Sequence, residues 1–479
     1  MLENLNIKLH QLIDSIAFIL PEIWLVALFI ILIIIDLFAK KPNLYNVLLI
    51  GLFVQLGIIY FSPLQNNLFI GMLSADALAK VFKYIFAIAG IVVLLIVRVS
   101  EKDKKMGQTT GEFYAIFVAI LLGMNLLAMA THLLLIYLSL EIVSIGSYIL
   151  AVFYFDRKGV EVSLKYVVFG IFSSAIMLYG MSLLYGFSGS LLLENIAKVS
   201  HTIPAFAFLV AFVMSIAGFL FKISASPFHI WTPDVYEGAP TSVVAFFSTA
   251  SKVAGFAVLI RFTLALGNNI YIANSLIIIA IVSMLIGNFA ALWQTSFKRL
   301  LAYSGIAQAG FVLVGLLTLD ENGTKITLFY LVVYSVANLL AFFAFALIEN
   351  KKGNDSLLVF NGLGNQQLVF GVALSISMFS LVGLPITAGF TAKLLIFTQL
   401  WQIKENPFML VLLLVGLLST AISLYFYLKI PYYLFFKQKN ENLNFQLTIF
   451  QKAVLFLLAF ALIGLFFIPS LLLGTLTTF

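Results

Sequence analysis

The sequence contains no cysteine, which excludes disulfides, iron–sulfur ligation and thiolate zinc sites. Charge is scarce as well: Asp, Glu, Lys and Arg make up 10% of the 479 residues, against about a quarter in a soluble domain. Histidine is limited to His10, His132, His201 and His229, scattered along the chain. No GxGxxG or GxxxxGKS/T opens a helix after a strand, so no nucleotide site is legible. The expectation is that no cofactor or metal binds this chain and that any redox chemistry coupled to it occurs elsewhere.

Apolar residues are abundant instead, at 62% of the chain. Runs of 18 or more recur along its whole length, each long enough to cross a bilayer. The reading is an all-α polytopic membrane protein with fourteen spans, centred near Ile30, Val54, Ala89, Leu121, Glu141, Ala175, Met214, Ser251, Val282, Ala309, Ala337, Ser380, Gly416 and Phe460. The first, from about Ala17 to Phe38, is too long for a signal-peptide apolar region and is expected to stay uncleaved. No soluble domain and no linker divides residues 1–479, which read as one integral membrane domain.

The net charge of +7 reports topology rather than nucleic-acid binding. Loops after odd-numbered spans carry Lys40 and Lys41; Arg98, Lys102, Lys104 and Lys105; Arg157 and Lys158; Lys298 and Arg299; Lys351 and Lys352; Lys437 and Lys439. The other side holds Lys8, Lys198, Arg261, Lys325 and Lys404. Lys and Arg mark cytoplasmic loops, so both termini are expected to face the periplasm of a bacterial inner membrane.

An internal repeat also shows. LKYVVFGIFSSAIML from Leu164, in span six, matches LFYLVVYSVANLLAF from Leu328, in span eleven, and Pro227 in span seven matches Pro385 in span twelve. The repeated unit is about five helices, spans four to eight and nine to thirteen. An odd count makes the copies enter the membrane with opposite polarity, as in inverted-repeat transporters with broken helices in corresponding positions. The expected segments are 1–110 (three spans), 111–265 and 266–436 (the repeats) and 437–479 (the last span).

Five ionisable residues fall well inside spans: Glu141, Lys165, Lys222, Lys252 and Lys393. A lysine at a helix centre costs roughly 2.5 to 3.5 kcal/mol by insertion scales, so these side chains should face a hydrated interior. One central acid cannot neutralise four lysines. A buried lysine without a full partner gives up its proton more readily, as a relay requires. Pro227 and Pro385 each remove a backbone donor near a lysine, which is tolerated only where backbone lines protein or water. Each residue also has a structural reading. Glu141 and Lys222 could be an ion pair holding spans together, Lys165, Lys252 and Lys393 could snorkel, and His229, a possible relay member at the cytoplasmic end of a broken helix, could equally be a satisfied structural histidine. Lys80, Lys83, Arg261, Lys298 and Arg299 are expected to snorkel at span ends. Asp36 is expected at the interface. Asn125, Asn288, Gln294, Gln308 and Asn338 are expected to bond between helices.

The block FKISASPFHIWTPDVYEGAPTSVVAFFSTASKVAGF, residues 221–256, resembles the proton-conducting, antiporter-like subunits of respiratory complex I, with WTPDVYEGAP and STASK most similar to the subunit N branch. LPEIWL, the SLE of span five, the LKY of span six, KRLLAYSGIAQAGF and LPITAGFTAK also fit, so the resemblance covers essentially the whole chain. It implies fourteen helices with two inverted five-helix bundles broken at spans seven and twelve. It also implies roles: Glu141 pairing with Lys222, Lys165 near that pair, Lys252 joining the two halves, and Lys393 as the exit group. Gln308 stands where many relatives carry histidine, so a relay through span ten must use water or Lys298. The implied partners are the other membrane-arm and peripheral-arm subunits of NADH–quinone oxidoreductase, where FMN, iron–sulfur clusters, NADH and quinone would bind. A subunit of a multi-subunit sodium/proton antiporter and a non-conducting assembly subunit are the competing readings.

Overall fold

The computed structural model describes residues 2–39, 43–100, 111–153, 157–267, 269–318, 320–352, 355–402, 407–438 and 446–474. Lys40, Lys41, Lys102, Lys104, Lys105, Lys404, Lys439 and the C-terminal Phe479 lie outside the described residues. Among the described residues, twelve helices are long and apolar enough to cross a bilayer. Span ten (Phe297–Gly315) and the two halves of span twelve (Leu368–Val382 and Ala388–Gln402) bring the crossings to the expected fourteen.

A short helix, Leu2–Ser15, precedes span one, Leu20–Phe38. Spans two and three are Leu44–Phe61 and Ala77–Val99, joined through a small antiparallel hairpin of Gln65–Leu68 and Leu73–Ala75. Spans four, five and six follow as Gly111–Met129, Leu133–Ala151 and Arg157–Ser188. Span seven is broken, with Ala205–Ser215 and Ala217–Ile223 separated from Trp231–Gly238 by a link. Span eight, Thr241–Leu266, is buried along its entire apolar window. Spans nine, eleven, thirteen and fourteen are Ile270–Leu292, Glu321–Lys352, Pro407–Phe435 and Ile449–Phe467.

The connections alternate between two faces. Leu73 bridges to Ala130, and His132 to Leu192, which ties the connections after spans two, four and six together. Ser296 bridges to Ser356, joining the connections after spans nine and eleven. Spans six and eleven, the pair matched by sequence, are both 32 residues long. Such a helix runs about 48 Å at 1.5 Å per residue, beyond the roughly 30 Å hydrocarbon core. Their first turns can therefore lie outside the apolar layer.

This length explains a difference from expectation. Lys165, two turns into span six, is exposed on the flank of the chain and pairs with Glu161 (3.0 Å) and Asp234 (3.1 Å). Three residues expected to snorkel are instead buried and paired. Lys83 meets Glu22 at 2.9 Å, and Lys298 meets Glu349 at 3.0 Å. Arg261 holds both oxygens of Asp76 at 2.8 Å and donates Nε to the Ala128 carbonyl at 2.9 Å. Charged heads near span ends find partners on neighbouring helices here, which removes the need to reach water. Arg299, half-buried, bonds Asp234 and Glu237 at 3.0 and 2.8 Å, locking the WTPDVYEG helix to span ten.

Candidate functional site

Span seven ends where Ser224 turns left-handed at φ 60°. Ala225 N–H donates back to the Leu220 carbonyl at 2.9 Å, and the indole N–H of Trp231 takes the Phe221 carbonyl at 3.2 Å. Lys222 lies in the last turn of this half-helix, where unspent carbonyls and the helix dipole favour a cation. The helix thus stops one residue past the lysine, before Pro227 is reached. His229 is half-buried in the link that follows.

Span twelve ends in a similar way. Gly383 adopts φ 89°, which a glycine reaches without steric penalty, and its N–H and that of Leu384 both return to the Phe379 carbonyl at 2.9 Å. The Val382 carbonyl is left for Lys393, whose ammonium reaches back from the second half-helix to bond it at 2.6 Å. The break therefore builds the binding place of the lysine, through the negative end of one half-helix.

Lys252 sits at the middle of span eight. Immediately before it, residues Phe247–Ser251 form a π turn inside the helix, a feature that often marks functional positions. The Lys252 ammonium donates to the Gly305 carbonyl at 2.8 Å. A methyl group on Gly305 would lie 2.9 Å from that ammonium and 3.2 Å from the Tyr334 hydroxyl oxygen, so both polar groups converge on the hollow the glycine leaves.

Lys222, Lys252 and Lys393 are all buried, and none joins an ion pair among the described residues. Each lies against an aromatic ring. The Lys222 ammonium lies 5.7 Å from the Tyr166 ring, and Tyr166 stacks on Trp231 at 4.3 Å. Trp231 meets Tyr236 edge-on at 6.4 Å. Lys252 lies 5.6 Å from the Tyr334 ring, and Lys393 lies 4.4 Å from the Phe311 ring. Such faces attract cations without neutralising them. Glu141 is half-buried between spans five and six and accepts the Ser174 hydroxyl at 2.5 Å. It forms no ion pair with Lys222 among the described residues. Lys165, on the flank, takes no part in this arrangement.

Gln308 stands between Lys252 and Lys393. Its amide nitrogen donates to the Leu381 carbonyl at 2.8 Å and to the Tyr427 hydroxyl at 3.3 Å, and its oxygen accepts the Tyr330 hydroxyl at 2.5 Å. Tyr427 also bonds Ser304. Gln308 bonds between helices as expected, whereas Asn288 and Asn338 donate to carbonyls of their own helices. Lys298, the other relay candidate on span ten, is held by Glu349. Sequence reasoning missed Glu22, Tyr334, Tyr427 and Ser380. The tyrosines and the serine read as ordinary membrane-helix residues, and Glu22 reads as a first-turn acid beside Pro21. Only the repeat, which aligns Tyr166 with Tyr330, gave any signal that buried phenols mattered.

Comparison with known proteins places this arrangement in a family. Residues 130–423 match the family described as NADH:quinone oxidoreductase/Mrp antiporter, transmembrane. The chain is 41% identical over 446 residues to NADH-quinone oxidoreductase subunit N of Chlorobium chlorochromatii, covering 89% of this chain and 86% of that one. It is 38% identical over 437 residues to NAD(P)H-quinone oxidoreductase subunit 2 of Synechocystis, covering 88% and 82%. A chain of respiratory complex I from Thermus thermophilus, solved with bound aureothin, superimposes with a TM-score of 0.83 at 30% identity, covering 96% of this chain and all of that one. The Mrp complex of Dietzia shares the fold, with a TM-score of 0.81 at 17% identity over 96% of each chain.

Proposed function

Because the chain belongs to the family of NADH-quinone oxidoreductase subunit N and serves as a proton-translocating subunit of the membrane arm, we propose that Lys222, Lys252 and Lys393 carry the proton and that Glu141 gates the first of them. NADH oxidation and quinone reduction, with their FMN and iron–sulfur clusters, then belong to the partner subunits. The observation that carries this reading is the set of three lysines buried without ion pairs, two of them at the broken ends of helices. A structural lysine at such depth needs a carboxylate partner, as Lys83 and Lys298 have.

Two further readings accompany it. Residues 111–265 and 266–436 act as paired half-channels, supported by the 32-residue helices at offset 164 and by the two matching breaks. The proton leaves toward the periplasm, supported by the Lys/Arg bias. The sodium/proton antiporter reading rests on the shared fold and on a family description that spans both groups, whereas the relatives near 40% identity are quinone oxidoreductase subunits.

Lys222→Ala in the assembled complex tests the assignment. Proton pumping in inverted membrane vesicles should be nearly abolished while assembly, followed on native gels, is kept. Pumping equal to the parent in a fully assembled variant would remove Lys222 from the path.

A further inference from the structure

Resting on the proton-carrying role above and deepening it, we propose that the proton crosses from Lys252 to Lys393 through the Tyr334 hydroxyl and one water held between Tyr334, Ser380 and Gln308, with Gln308 as a positioning residue.

Four observations converge. A cavity of about 10 Å³ lies beside Tyr334, Gln308, Ser380, Leu381 and Gly389, all of them buried. That is room for about one water. The Tyr334 hydroxyl and the Ser380 hydroxyl are both buried and have no hydrogen-bond partner among the described residues. Buried hydroxyls are satisfied in nearly all folded proteins, and a water bridging them does so here. On one side, Tyr334 shares the Gly305 hollow with the Lys252 ammonium. On the other, the Lys393 side chain packs over Gly383, which in turn abuts the Gly389 carbonyl.

Gln308 explains why no titrating group is needed in span ten. Three hydrogen bonds fix its amide, and its neighbour in the bonding pattern, the Leu381 carbonyl, adjoins the Val382 carbonyl that holds Lys393. The amide neither gains nor loses a proton and fixes the wall against which the water sits. Transfer is then a concerted exchange. The Lys252 ammonium leaves the Gly305 carbonyl, turns to the Tyr334 oxygen across the hollow they share and gives it a proton as the tyrosine passes its own hydroxyl proton to the water. The water passes one of its protons to the neutral amine of Lys393. Tyrosine and water end with the protons they began with, and the net change is one proton moved from Lys252 to Lys393. Lys298 is bypassed.

The test uses the whole complex in inverted membrane vesicles. Tyr334→Phe keeps the ring and removes the hydroxyl. NADH-driven pumping and turnover should fall together by about tenfold or more, with assembly kept. Ser380→Ala should lower them severalfold. Gln308→Leu should slow turnover and enlarge its solvent deuterium isotope effect, and Gln308→His, which can still donate and accept, should recover much of the rate. A merely structural role for Gln308 would leave the isotope effect unchanged. Lys252→Ala is measured alongside. If it pumps normally, the lysine relay itself fails. If it stops pumping while Tyr334→Phe matches the parent in rate, pumping and isotope effect, the tyrosine route is overturned. Should Tyr334→Phe not assemble, Ser380→Ala decides by the same criteria.

Discussion

At Lys393 the ammonium bonds a single carbonyl, at the open end of the preceding half-helix, and rests against the face of Phe311. A group held this way is stabilised as a cation and remains free to lose its proton, because nothing binds it as an ion pair among the described residues. Arginine at the same place would keep the charge and refuse the transfer. Lys393→Arg should therefore lower turnover and pumping in parallel by about tenfold or more, as a blocked exit holds back the redox step. Vesicle assays of both rates check this, and a variant that pumps like the parent would make Lys393 a fixed charge. The membrane potential opposes outward movement by about 2.3 kcal/mol per 100 mV, so the relay must not stay open to both sides. A lysine that exchanges one bond for another at each step meets that condition.

Among the elements, span eight is clamped to the start of span three through Arg261 and Asp76. Asp76 caps span three through the Ala79 N–H at 2.8 Å and receives both guanidinium nitrogens of Arg261. Burial pushes its carboxyl upward, but the Arg261 charge and hydrogen bonds from Arg261, Ala79 and Ser74 outweigh burial and hold it below its ordinary value of 3.8. A carboxylate lowered on folding contributes stability that is fully present above the ordinary value and is lost as pH falls through the lowered one. Asp76→Asn should thus destabilise the detergent-solubilised protein by about 1.5 to 3 kcal/mol at neutral pH, the worth of hydrogen bonds to a charged group. The difference in melting temperature between variant and parent should hold down to about pH 4 and shrink below it. A difference that does not change with pH would show that the charge on Asp76 contributes nothing.

For the molecule as a whole, the alternation of connections predicts that both termini share one side with the hairpin at residues 65–75. Reporter fusions at Phe479 should be active only outside the cytoplasm, and activity inside would invert the topology. Crossing number, breaks and the burial of Lys222, Lys252 and Lys393 were legible because 20-residue apolar runs, prolines and isolated charges are strong local signals. The pairings were less legible. Lys83, Arg261 and Lys298 look alike in sequence to any lysine or arginine near a span end, and their partners Glu22, Asp76 and Glu349 lie 61, 185 and 51 residues away. Lys165 was misplaced because a 32-residue helix offers no sequence mark of where the bilayer begins. The cavity at Tyr334 depends on span ten, span eleven and both halves of span twelve meeting, which no single stretch encodes.

The π turn at Phe247–Ser251 carries a consequence for insertions and deletions. It accommodates one residue more than a regular helix would over the same length. Deleting one residue there would let the ladder close into ordinary α-helix with both ends left in place, whereas deleting one residue from a regular stretch of span eight would turn one end against the other by about 100° and shorten it by about 1.5 Å. Both ends are packed on every side, so span eight should tolerate the loss of one residue within Phe247–Ser251 better than the loss of one between Lys252 and Leu266. The extra residue is slack in register, which the helix could give up while its lysine stayed aimed at the same neighbour.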